Sequence, residues 1–180
     1  MALTELNSYT VHDIFDLPEG QRAELIDGRV YYTSPPTRTH QRIVGELFAM
    51  IREHIKRNNG KCEVDIAPFA VFLDGDDKNY VEPDICVVCD QNKLDDKGCN
   101  GAPDWIIEVV SPASRRIDYT TKLFKYRSSG VREYWIVDAE KSRVMVYNFS
   151  MDAMNEYSFT EDIPVGIYTD FSVRMSSLEL

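Results

Sequence analysis

The sequence has no apolar run approaching the roughly 18 residues that a membrane-spanning helix needs. Its first residues, MALTELNSYT, also lack the basic-then-apolar order of a secretory signal. Both absences lead us to expect a soluble, cytoplasmic protein without a membrane partner. There is no excess of basic residues either: 20 Lys and Arg face 30 Asp and Glu, a formal net charge of −10. Phosphate contacts come from Lys and Arg, so this balance excludes a protein coated in nucleic acid and restricts such a partner to a local basic patch or bound cations. A second C-x-x-C is missing. Cys62, Cys86, Cys89 and Cys99 contain only the pair at 86 and 89, on a predicted strand where residues three apart face opposite sides. These are read as buried structural thiols, not as a zinc or redox site. The acidic DGDDKN turn at 74–79 lacks the closing glutamate of a calcium loop and reads as a solvated loop. No internal repeat or low-complexity linker divides the chain.

What is present suits one domain over residues 1–180 with a core at about 20–149. Apolar residues make up 43% of the chain, enough for folding without a metal or a disulfide staple. Thr10 can cap a short helix that ends before Pro18. Asp27-Gly28 suits a primed two-residue turn between strands at 22–26 and 29–33, an N-terminal β-hairpin. Glu24, on its first strand, faces either solvent or a shared acidic cluster, and burial statistics favour solvent. A long helix is predicted from about His40 to Asn58, with Ile43, Val44, Leu47, Ile51 and Ile55 as its apolar stripe. His40 falls on that stripe at the N-terminal end, where it can touch phosphate or an acid, or be an ordinary half-buried histidine. A strand is read over 62–73, bulged or near an edge because of Pro68. Further strands are read at 80–88, 105–110, 132–137 and 143–149, with one or two more near 156–159 and 171–175. A helix over 115–129 closes at Gly130.

Two carboxylates interrupt the central strands. Asp84 opens ICVV, and Glu108 lies inside WIIEVV. A carboxylate in an apolar strand costs several kcal/mol unless it is paired or holds a cation. Adjacent strands lie about 4.8 Å apart, so these two acids can sit side by side, and a hard divalent ion would neutralise both. Mg²⁺ typically uses one or two protein carboxylates and keeps waters and positions for phosphate oxygens. Lys122 shares an inward helical stripe with Tyr119, Leu123 and Tyr126; taken alone it reads as a surface i, i+4 pair with Asp118, and taken with the two strand acids as a site residue that contacts phosphate.

The order Pro83-Asp84, Glu108 in IIEVVSP, Asp118, Lys122, Tyr126, then GVREYWIVD, resembles the Uma-two family of the PD-(D/E)XK nuclease superfamily. The AELIDG hairpin and His40 match as well. The resemblance implies an α/β, restriction-endonuclease-like three-layer core with a mixed central sheet flanked by helices. It also implies Mg²⁺- or Mn²⁺-dependent hydrolysis of phosphodiester bonds. It makes Asp84 and Glu108 metal ligands, Lys122 the catalytic lysine, and Glu24 a further acid of the site. In the superfamily the lysine usually stands two residues after the acid; here that position is Val110, and the function passes to Lys122.

Nucleic acid, DNA by preference, is thus the expected partner, contacted through Arg38, Arg42, Arg115, Arg116 and Lys125. A homodimer is expected because nuclease sites usually address two strands. The alternative is a catalytically inactive nuclease-fold module that binds nucleic acid or protein, which the −10 charge and the missing E-x-K triplet favour.

Overall fold

The computed structural model describes residues 8–178. Helix α1 (Val11–Phe15) is capped by Thr10 and leads into the hairpin of β1 (Ala23–Ile26) and β2 (Arg29–Tyr32). The turn is the primed one expected, since Asp27 and Gly28 both have positive φ, 49° and 72°. Helix α2 (Arg38–Arg57) starts where the Thr37 hydroxyl accepts from the His40 amide, and its five predicted stripe residues are all buried.

Next come β3 (Glu63–Ile66) and β4 (Val71–Phe72), in place of the continuous strand expected over 62–73. The break falls at Pro68, whose peptide bond with Ala67 is cis and which has no backbone donor. Strands β5 (Ile85–Val88), β6 (Leu94–Asp95), β7 (Gly98–Asn100) and β8 (Trp105–Val109) follow. One helical run then comprises an α-turn Arg115–Ile117, a π-turn Asp118–Lys122 and an α-helix Leu123–Ser129; together these are α3. Gly130 ends it at φ 94°, as a left-handed cap. The chain closes with β9 (Glu133–Asp138), β10 (Arg143–Asn148), β11 (Ala153–Ser158), β12 (Ile163–Pro164) and β13 (Ser172–Val173).

The central sheet has the order β11-β10-β9-β8-β5-β3. Only β8 and β9 pair in parallel, so the sheet is mixed. The stripe of α2 packs on one face against Ile85, Val87, Trp105, Ile107 and Trp135. On the other face Tyr126 of α3 joins Cys86, Val88, Ile106, Tyr134 and Ile136. This is the three-layer α/β architecture expected. Among the described residues no helix is long and apolar enough to cross a membrane.

The cysteines correct one expectation. Cys62 and Cys89 flank the antiparallel β3–β5 pair at opposed positions and form a disulfide, while Cys86 and Cys99 stay as buried thiols. The 86–89 pair does diverge, as the strand geometry requires. Its second member reaches across to a partner that spacing alone did not suggest.

Gly98 has φ 138°, and a Cβ there would lie 2.2 Å from the Ala70 carbonyl oxygen, where β7 packs beside β4. A backbone atom cannot move aside cheaply. Gly98→Ala should therefore cost stability at the upper end of the roughly 1–3 kcal/mol typical of overpacking, read as a lowered urea midpoint with an unchanged slope.

Candidate functional site

Five segments far apart in sequence meet at the β5–β8 pair. Ile85 is registered with Ile107, so Asp84 and Glu108 stand across from each other one step further out. The backbone amide of Val109 donates to Asp84 Oδ2 at 2.8 Å, which ties this acid to the neighbouring strand. His40, in the first turn of α2, places Nε2 3.1 Å from the same oxygen.

Lys122 is the hub. Its Nζ lies 2.9 Å from Glu108 Oε1, 2.7 Å from Glu24 Oε2 and 3.9 Å from Asp118 Oδ1. Tyr126 donates its hydroxyl to Glu108 Oε1 at 2.7 Å, and Glu24 Oε1 also accepts from the Glu82 amide at 2.9 Å. Glu24, Glu108, Asp118 and Lys122 are each at most 5% exposed. The surface pairing of Lys122 with Asp118 is thus replaced by a buried one. Glu24 is corrected too: β1 is buried along its whole length, so its acid faces the cluster and not solvent. The π-turn spans Asp118–Lys122 and so brings both ends of that segment to the acids. Such turns often mark functional positions in helices.

The charge balance decides the electrostatics. Four carboxylates, Glu24, Asp84, Glu108 and Asp118, share one ammonium and one imidazole. Burial pushes the Glu108 carboxyl well above its ordinary range; Lys122 pulls it back, and Asp84, Asp118 and Glu24 add to the rise. Burial also raises Asp118, to about 6, against the pull of Lys122. For Lys122 burial alone would lower the pKa, but Glu108, Glu24 and Asp118 outweigh it and hold the amine charged. For His40 burial is likewise outweighed by Asp84, and the imidazole pKa rises.

These shifts share one sign. A group that binds its proton more tightly when folded stabilises the fold below its unfolded pKa, and this contribution is lost as pH rises through the folded value. For Asp118 that window runs from 3.8 to about 6. Unfolding free energy in metal-free buffer should thus decline as pH rises across it, and Asp118→Asn should flatten the decline. Chemical denaturation at several pH values reads both.

A cleft of ≈ 380 Å³ opens over the cluster. Tyr31, Tyr32, Thr33 and Pro35 line it together with Ser111, Pro112 and Ser114. Among the described residues no three His, Cys, Asp or Glu side chains converge on a point that could hold a metal ion. The donor set nevertheless suits a hard cation bound through two acids, since it offers oxygen ligands and an excess of negative charge. The hydrogen bonds given above occupy Oδ2 of Asp84 and Oε1 of Glu108, one oxygen of each.

The expected nucleic-acid contacts divide. Arg38 and Arg116 are exposed, and Arg42 is half-buried and engaged within the fold. Arg115 is ion-paired with Asp138 and with Glu140. Lys125 departs from expectation: it is buried, with Nζ 2.6 Å from Asp27 and 2.8 Å from Asp74, so its charge locks the hairpin turn to the 74–79 turn. Asp118 and Tyr126 join the cluster beyond the residues expected there; with Lys122 they repeat at steps of four along the helix, the signal that marks them.

The Uma2 family, described as "Putative restriction endonuclease", matches residues 11–165. The chain belongs to the Uma2 family. The uncharacterized protein slr1290 of Synechocystis is 23% identical over 133 residues, which cover 73% of this chain and 68% of that protein. A crystal structure from Anabaena variabilis, described as a putative nuclease belonging to DUF820, superimposes with a TM-score of 0.76 at 21% identity. It covers 94% of this chain and 96% of its own, so the Uma2 chain shares its fold almost end to end. The parts of the cluster, from Glu24 to Tyr126, all fall inside the stretch that matches the family.

Proposed function

We propose that this Uma2 protein is a divalent-metal-dependent endonuclease that hydrolyses phosphodiester bonds, with DNA as substrate. The observation that carries the reading is the convergence of four carboxylates and a charged, buried lysine at the floor of an open cleft. Asp84 and Glu108 would hold Mg²⁺ or Mn²⁺, which supplies charge neutralisation and a more acidic water when bound.

The chain's own residues do the rest. Asp84 is fixed through Oδ2 by the Val109 amide and by His40, which leaves its other oxygen for a cation. Tyr126 orients Glu108 in the same way. Lys122 is positioned by Glu24 and Glu108 and stays protonated, so it can donate to a phosphate oxygen as charge builds there. Glu24 keeps the ammonium in place and adds to the negative charge that attracts the ion.

Plasmid, single-stranded DNA and RNA incubated with Mg²⁺ or Mn²⁺ test the proposal. Cleavage should require metal and disappear in Asp84→Asn. Cutting that persists in the variant would mean a contaminant and end the reading. The second reading, a non-catalytic binding module, draws on the lysine seated between Glu24 and Glu108. Calorimetric titration separates them: no Mn²⁺ uptake at millimolar metal favours the module.

A further inference from the structure

We infer that the cleft takes an unpaired nucleic-acid strand, with a base stacked on the ring of Tyr32. This rests on the nuclease reading for its choice of nucleic acid as ligand, and goes beyond it in naming the form of the substrate.

The first observation is depth. Glu24, Glu108, Asp118 and Lys122 are between 1% and 5% exposed, and the side chain of Asp84, the most accessible acid of the cluster, is 19% exposed. Duplex DNA carries its phosphates on a stiff rod with a persistence length of about 150 base pairs. A cleft of ≈ 380 Å³ over so buried a cluster favours a ligand more flexible than such a rod. Pro35, Pro36 and Pro112 line the cleft, and their fixed φ angles restrict the backbone there. A single strand bends freely and presents one phosphate at a time.

The second observation is charge. The cations lining the cleft are Arg22, His40 and Lys122, and each is already paired: Arg22 with Glu82, His40 with Asp84, Lys122 with Glu24 and Glu108. Duplex affinity is built largely from phosphate contacts, and these walls hold no unpaired cation for a second backbone. Single strands are held in another way, by bases stacked on aromatic rings, which tolerates any sequence.

The third observation is the ring itself. Tyr32 ends β2 at the cleft wall and is 67% exposed, whereas Tyr31 is packed against the core. An exposed ring of this size beside a cleft is available for stacking. Arg38, exposed in the first turn of α2, stands next to the cleft-lining Thr37 and can meet the strand's phosphate as it leaves. One strand needs only one cleft, so a single copy of the chain is sufficient for this substrate.

The test measures binding apart from cleavage. Fluorescence anisotropy of a labelled single-stranded DNA oligonucleotide is compared with the same strand annealed to its complement, in EDTA and again in Ca²⁺. We expect the single strand to bind at least about tenfold more tightly, and Tyr32→Ala to weaken it about 5- to 150-fold. Tyr32→Phe should bind like the unsubstituted protein, and the thermal midpoints of both variants should not move. Equal or tighter duplex binding, no binding of either form, or an unaffected Tyr32→Ala would overturn the inference. Its fate is separable from that of the nuclease reading. Tyr32-dependent single-strand binding without metal-dependent cutting would sink the nuclease reading alone; metal-dependent cutting of duplex bound as well as single strand would sink this inference alone.

Discussion

Lys122→Met should cost about 3–5 kcal/mol of stability, the usual consequence of removing one partner from a buried ion pair. A domain has only about 5–15 kcal/mol in all, so the substitution should remove a large share of the stability at neutral pH. Methionine fills most of the space but leaves Glu24, Glu108 and Asp118 buried without the cation they share. The folded state would then relieve itself by taking up protons. More protons bound in the folded than in the unfolded state means that stability falls as pH rises, so the variant should be firmest in acid. Urea titration at about pH 5 and about pH 8 reads both effects. Adding Glu24→Gln to Lys122→Met should recover part of the loss, because the two residues are coupled and not additive. A loss under about 1 kcal/mol at the higher pH would show that the acids do not depend on this lysine.

Asp84→Asn should reduce metal-dependent cleavage by at least about 100-fold while leaving the fold intact. The asparagine carbonyl can still accept from the Val109 amide, so the strand contact survives. What is lost is the anionic oxygen for a cation, and Mn²⁺ binding by calorimetry should weaken in parallel with the rate. Glu133 supplies the control. It too is a fully buried strand acid, but its oxygens are held by the Trp135 indole at 2.6 Å and the Ile167 amide at 2.9 Å, outside the cleft. Glu133→Gln should leave the cleavage rate per folded molecule unchanged. If both substitutions lowered the rate equally, general destabilisation would explain the result and Asp84 would have no special part.

Much of the fold could be read from periodicity and turn chemistry. The primed turn at Asp27-Gly28, the α2 stripe and the glycine cap of α3 are local signals, and each produced its element. The disulfide was not legible because Cys62 and Cys89 become opposed only once β3 pairs with β5. Glu24 misled for a related reason: a four-residue hairpin strand looks half-solvated until a second layer covers it, and here α3 and the strand acids do so. Lys125 sat beside other basic residues in the sequence, yet the turn at Asp74 reaches it through space and neutralises it. Asp84 and Glu108 were legible as residues that need a partner, since a charge in an apolar strand is costly wherever the chain goes. Which groups would answer them depended on packing.

The ion pair between Glu24 and Lys122 spans 98 residues. On a ribosome, Glu24 and Glu108 both emerge before the lysine that neutralises them, and until it arrives there is no net gain in burying them together. Burial of the acid cluster is therefore expected only after residue 122 is free. Whatever the cleft acts on, a growing or truncated chain presents no assembled cluster to it.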